Sequence, residues 1–143
     1  MISQQAITRK LKLPVAEVWQ AIRGIDRLDV WFPLLASCRV EGQGVGAVRY
    51  MTTIDGGEIV DVIESIDDVE RRLVYRRPQS PFPVSAYRGT VEVFASFDGQ
   101  AVVVWTIDFE SEAEVAESVA AIVEEAIGAG IEGMERDLLC RSR

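Results

Sequence analysis

Residues 40–50 read VEGQGVGAVRY, and within them Gly42, Gly44 and Ala47 fit the G-x-G-x-x-G/A spacing of a dinucleotide-binding turn. Taken at face value, the motif would make the chain a parallel α/β fold. That fingerprint needs a helix directly after it, because the pyrophosphate rests on the helix N-terminus. Here Val45, Val48, Tyr50, Thr52 and Thr53 favour strand, and the next turn arrives at Asp55, too soon for a crossover helix. The glycines are therefore read as a tight connection between two antiparallel strands.

Outward from this turn the same pattern continues. Strands are expected at about 45–53, 58–66, 70–77, 86–97 and 101–110, separated by the turn signals DGG, DD, PQSPFP and FDGQ. Connections of hairpin length force an antiparallel meander. Upstream, AITRKLKL (6–13) alternates, with Ile7, Leu11 and Leu13 on one face, and reads as a half-buried strand. Pro14 then opens a short helix carrying Val15, Val18, Trp19 and Ile22, which Gly24 ends. The apolar LDVWFPLL (28–35), broken by Pro33, suits a second short helical turn leading into a strand at about 35–40.

After Phe109 the period changes. In SEAEVAESVAAIVEEAIGAGIEGMERDLLC, Ser111 and Glu114 form a capping box, and Val115, Val119, Ile122, Ala126, Ile127, Ile131, Met134 and Leu138 trace one apolar stripe. This predicts one long amphipathic helix. The expected class is α+β, a curved antiparallel sheet of about seven strands wrapped round that helix, with two short helices after the first strand.

The chain has 143 residues, 48% apolar and 27% charged, which suits a single domain (1–143) that folds alone. A net charge of −8 argues against nucleic acid and anionic membrane as partners. No stretch of 18 apolar residues occurs, which argues against membrane insertion, and MISQQAITRK lacks a signal-peptide core, so a cytoplasmic protein is the simplest expectation. Histidine is absent, which removes imidazole bases, Ser-His-Asp and Cys-His nucleophile systems and the commonest metal ligand. Cys38 and Cys140 are far apart and suggest neither a redox motif nor a metal site.

The segments PVAEVWQAIRGIDRLDVWFP, VEGQGVGAVRYM, DGGEIVDVIESIDD, LVYRR, PFPVSAYRGTVEV and VVVWTIDFE, in that order, resemble the polyketide cyclase/dehydrase-like (SRPBCC) group of the START/Bet v 1 superfamily. More distantly, 37–87 resembles plant abscisic acid receptors. The resemblance implies a helix-grip fold enclosing an apolar cavity that holds a small hydrophobic molecule such as a lipid or polyketide, with no cofactor, in a monomer or homodimer.

Strand alternation puts Ala47, Arg49, Met51 and Thr53 on one face and Ile59, Asp61 and Ile63 on one face of the next strand, without saying which faces look inward. The resemblance chooses. Arg49 matches the family's G-x-x-R arginine, Asp61 its cavity acid, Tyr75 and Tyr87 its cavity aromatics. The ligand-binding candidates it implies are Trp31, Arg49, Met51, Ile59, Asp61, Ile63, Tyr75, Arg77, Tyr87, Trp105 and Met134.

Alternatives stay open for several of these. Arg49 and Asp61 suit either an internal ion pair or a polar anchor for a ligand. The receptors' carboxylate-holding lysine falls at Ala36, and Arg77, sharing a face with Tyr75, is either a replacement cation or solvent-exposed. The loops at 55–58 and 78–83 suit lids or plain hairpin turns, and Gly128, Gly130 and Gly133 suit close packing or space for a ligand. An enzymatic alternative, a cyclase or dehydratase, would draw its acid–base groups from Asp61, Tyr75, Tyr87 or Arg49, although an adjacent Arg49 would lower the pKa that Asp61 needs raised. A third is an outer surface that binds a protein partner. No catalytic residue is assigned.

Overall fold

The glycine stretch turns a corner. Strand β2 (Leu35–Glu41) ends and β3 (Val48–Thr53) begins on either side of it, antiparallel, and no helix follows. Gly42, Gly44 and Gly46 take φ of 87°, 63° and 90°, a region that side-chain-bearing residues avoid. The computed structural model describes residues 1–141. Its remaining elements are β1 (Ile2–Pro14), α1 (Val15–Arg23), α2 (Leu28–Trp31), β4 (Glu58–Asp67), β5 (Arg72–Gln79), β6 (Ala86–Ala95), β7 (Gln100–Glu110), a 3₁₀ turn (Ala113–Val115) and α3 (Ala116–Arg141).

The seven strands form one antiparallel sheet in the order β1-β7-β6-β5-β4-β3-β2. β2 to β7 is the expected meander, and β1 closes it by pairing with β7 from Ile2↔Glu110 onward. With α3 beside the sheet and both short helices after β1, this is the helix-grip architecture. β1 starts four residues before the alternating pattern does, because ladder bonds to β7, not side-chain burial, hold its first residues. Its edge is covered: the Lys12 backbone N–H donates to the Glu135 carboxylate of α3 at 2.7 Å.

One local expectation fails for an identifiable reason. Ser111 caps no helix; its hydroxyl donates to the Glu112 carbonyl, and its backbone is tied to Met1 at the end of the sheet. The helix therefore opens through the 3₁₀ turn. At the end of α1, Gly24 stays right-handed and Ile25 takes the left-handed position, φ 60°, where glycine is normally found.

The helical glycines are packing devices. A Cβ on Gly133 would overlap the Trp31 carbonyl, and one on Gly130 would overlap the Phe32 ring, so α2 lies directly on the C-terminal half of α3. Asp137 fastens the same contact, accepting from Arg27 Nη2 (2.8 Å) and Trp31 Nε1 (2.9 Å). A Cβ on Gly128 would meet only the end of the exposed Arg9 side chain, at 3.3 Å. Gly133→Ala should therefore destabilise by several kcal/mol, since backbone cannot yield, while Gly128→Ala should be neutral or stabilise by up to about 1 kcal/mol through helix propensity. Urea unfolding of both variants checks this; equal effects would refute the packing role.

Candidate functional site

The centre of the site is set by register. Arg49 of β3 and Asp61 of β4 are directly opposed cross-strand partners. On the other side of β4, Val62 pairs with Arg76 and Val60 with Gln79, so Arg77 and Pro78 of β5 stand together against Asp61. This bulge falls where Pro78 has no N–H to offer the ladder. Alternation along β5 keeps Leu73, Tyr75 and Arg77 facing inward.

Asp61, 0% exposed, thereby accepts from two arginines. Arg49 gives it Nη2 at 2.8 Å and Nε at 3.2 Å; Arg77 gives it Nε at 2.7 Å and Nη2 at 3.3 Å. The third nitrogen of Arg49, Nη1, donates to the Ile25 carbonyl at 3.2 Å. A buried β-branched residue at positive φ is strained by about 1–2 kcal/mol, and here it aims a carbonyl at a buried cation. Tyr75 lies under both guanidiniums, its ring centroid 5.0 Å from Arg49 and 5.7 Å from Arg77, and Arg77 also sits 4.4 Å over the Tyr87 ring. Tyr75 is held in turn by Trp105 Nε1, which donates to its hydroxyl at 3.1 Å, and by Gly89, where any Cβ would strike the ring.

Burial alone would raise the Asp61 pKa, but Arg77 and Arg49 outweigh it and hold the carboxyl below its ordinary value. Burial likewise opposes the charge on Arg77, and Asp61 overrides it, so Arg77 stays protonated. Burial pushes the phenols of Tyr75 and Tyr87 up, with Arg77 opposing, so both are neutral donors at pH 7.

Beside this cluster an apolar cavity of about 40 Å³ lies between the sheet and α3. Of the candidates, Met51, Ile59, Tyr75, Arg77, Tyr87 and Trp105 line it. Arg49 and Asp61 sit behind the wall, Asp61 against Arg77 and Arg49 against Tyr75. Trp31, Ile63 and Met134 are buried in the core and line no part of it. The wall is completed by Leu28, Phe32, Leu34 and Leu35, by Phe82 and Val84 of the β5–β6 loop, and by Val119, Ile122, Val123, Ala126 and Ile127 of α3. That loop begins after Gln79, because β5 runs through Pro78. Gly57 of the β3–β4 turn packs against its Pro81. Leu34, Phe82 and Val84 are half-buried and Ile122 is 41% exposed, which marks this side as the mouth.

Residues 5–138 match the family model described as polyketide cyclase / dehydrase and lipid transport. The chain belongs to that family. It is 28% identical over 110 residues, 73% of its length, to the abscisic acid receptor PYL2 of Arabidopsis thaliana, and spans 58% of that receptor. Among solved structures it resembles an uncharacterised protein of Bacillus thuringiensis (TM-score 0.84, 25% identity, 96% and 99% of the two chains). It also resembles norcoclaurine synthase of Thalictrum flavum (TM-score 0.81, 14% identity, 97% and 87%), a likeness that concerns the fold alone.

In this member of the family, the helical side of the cavity was not evident from the sequence. Val119, Ile122, Ala126 and Ile127 lay on the predicted stripe, but the stripe does not reveal that its first half faces a cavity and its second half faces α2. The glycines at 130 and 133 carried that signal, since a helix interior disfavours glycine and a close backbone approach requires it. Nothing in the sequence pointed to Ile25, a β-branched residue in a conformation that glycine normally takes.

Removing one partner of a buried ion pair costs about 3–5 kcal/mol, so Asp61→Asn, which strands two buried guanidiniums, should lose stability on that scale. Arg77→Gln should cost clearly less, because Asp61 keeps Arg49 and Arg77 is 10% exposed. Because the folded pKa of Asp61 lies below its unfolded value near 3.9, its contribution is complete above about pH 4 and is lost as pH falls through the folded value. Denaturant titrations should show that parent and Asp61→Asn converge in stability below about pH 4; an unchanging gap would contradict the ionised assignment.

Proposed function

We propose that this protein binds a small hydrophobic molecule in the cavity between the sheet and α3. The observation that carries the reading is the make-up of the wall: apolar and aromatic side chains surround one cationic group, Arg77, and two phenols, Tyr75 and Tyr87. Such a lining is what small-molecule sites generally present. The family's description, which includes lipid transport, and the likeness to a hormone receptor support it. Met51, Ile59, Tyr75, Arg77, Tyr87 and Trp105 are the proposed contacts, and Arg49, Asp61, Trp31, Ile63 and Met134 support them from behind.

A volume of about 40 Å³ holds a few waters, whereas ligand sites run to roughly 300–1,000 Å³. Binding therefore requires the mouth to open, and the half-buried Phe82 and Val84 with Ile122 are the side chains that must swing away. Catalysis as a cyclase or dehydratase is the less favoured reading. Asp61 is ionised with both oxygens occupied, and two neutral phenols are poor bases at pH 7, so acceleration would rest on folding the substrate.

Native mass spectrometry of freshly purified protein tests the proposal. The expected result is a copurifying hydrophobic mass, extractable into organic solvent, that is lost from Ala126→Phe, which fills the cavity. Bare protein that also fails to bind the nonpolar dye N-phenyl-1-naphthylamine saturably would overturn it.

A further inference from the structure

Charge does not balance inside this protein. Two guanidiniums, Arg49 and Arg77, face one carboxylate, Asp61, leaving a net charge of one positive unit in the buried cluster. The surplus can be located. Arg49 is 2% exposed, lines no cavity, and spends all three nitrogens on Asp61 and the Ile25 carbonyl. Both oxygens of Asp61 are occupied as well. Arg77 gives Asp61 only Nε and Nη2; its Nη1 donates to no carboxylate among the described residues. Arg77 lines the cavity, its guanidinium 4.4 Å from the Tyr87 ring centroid, with Tyr75 and Tyr87 the other ionisable groups bearing on it.

The sheet explains how a half-spent cation survives there. Pairing of β5 with β6 ends at Arg76↔Arg88; Ala86 and Tyr87 continue to pair with β7 alone. Beyond that point the strands part, and Arg77 and Tyr87 fill the gap between the cavity and a groove on the outer face of the sheet. Through this gap Arg77 keeps 10% of its side chain in contact with solvent. The outer groove is not itself selective for anions, since Asp108 and Glu110 stand there with Arg76 and Arg88. Arg77 lines both spaces, and on the cavity side no carboxylate is among the lining residues.

We infer that the cavity's ligand is an amphipathic organic acid, whose anionic group pairs with Arg77 while its apolar body lies against Trp105, Ile59, Met51 and Val123. The inference rests on the hydrophobic-ligand reading above and adds the ligand's charge. A carboxylate or sulfonate at Nη1 turns a charge surplus into a balanced four-group cluster. Tyr87, neutral at pH 7, offers a second donor beside it. A neutral ligand of the same shape leaves the surplus uncompensated and covers the arginine with apolar surface, which costs free energy. The arrangement also accounts for Asp61 being shared: it holds Arg77 against the wall in a fixed pose, so the guanidinium meets an incoming anion preorganised.

Two dyes with one aromatic frame test this, 8-anilinonaphthalene-1-sulfonate and its neutral parent N-phenyl-1-naphthylamine. Fluorescence titrations give the ratio of their dissociation constants, in which the shared naphthylamine contribution cancels. Arg77→Gln should shift that ratio by about tenfold or more against the sulfonate, the worth of one charge-assisted hydrogen bond. Arg77→Lys should restore much of the preference, and Arg76→Gln, on the outer face, should leave it unchanged. Thermal unfolding of each variant confirms that the protein titrated is folded. A ratio that Arg77→Gln does not move, with both dyes still bound, overturns the anion inference and leaves the hydrophobic-ligand reading intact. A ratio that moves with Arg76→Gln instead places the anion in the outer groove and also overturns it. Binding of neither dye overturns both.

Discussion

A carboxylate with no solvent contact is the constraint around which the rest of this molecule is arranged. Ionised Asp61 costs several kcal/mol in lost hydration, and only close opposite charges with good geometry offset that. Two strand relationships supply them. Direct opposition in the β3–β4 ladder brings Arg49, and the bulge at Arg77–Pro78 brings a second guanidinium from the other side. The cluster reaches further through the backbone strain at Ile25, whose carbonyl completes Arg49, and through Tyr75, whose ring floor depends on a glycine in the neighbouring strand. The turn after α1, four strands of the sheet and the aromatic pair Tyr75–Trp105 are therefore tied to one buried charge.

The long helix divides its work. Its C-terminal half gives up side chains at Gly130 and Gly133 so that α2 can lie on its backbone, and Asp137 locks that contact with Arg27 and Trp31. Its N-terminal half keeps medium-sized side chains, and these face the cavity. One end of the space between sheet and helix is thus a closed core, while the other is loosely filled and lies behind half-buried loop side chains. This makes the mouth the place where opening disturbs the fewest packed groups.

Much of the fold was legible in the sequence, because hydrophobic period, turn chemistry and proline placement are local signals that agree along most of the chain. The alternation of Arg49 with Met51 and of Asp61 with Ile59 and Ile63 put the buried pair on shared faces, and the spacing of Arg77 from Tyr75 put it on the same face as the aromatic. Four things were not legible. Which strand face looks inward depends on tertiary packing, since β3 and β4 carry apolar residues on both sides. The strained Ile25 depends on a cation that lies 24 positions away in sequence. The capping box of Ser111 failed because the sheet register claimed that residue first. The cavity's extent depends on which large side chains collapse into it, and no periodicity encodes that.

Ionised Asp61 between two arginines fixes both the stability of the centre and the sign of the charge it presents to the cavity. The most direct measurement is a pH titration of the Asp61 carboxyl carbon by ¹³C NMR in the ligand-free protein. The expected result is a chemical shift typical of a carboxylate that holds steady below pH 4, down to the onset of acid unfolding. A midpoint at or above about pH 4, within the folded range, would show that burial outweighs the arginines and would contradict it.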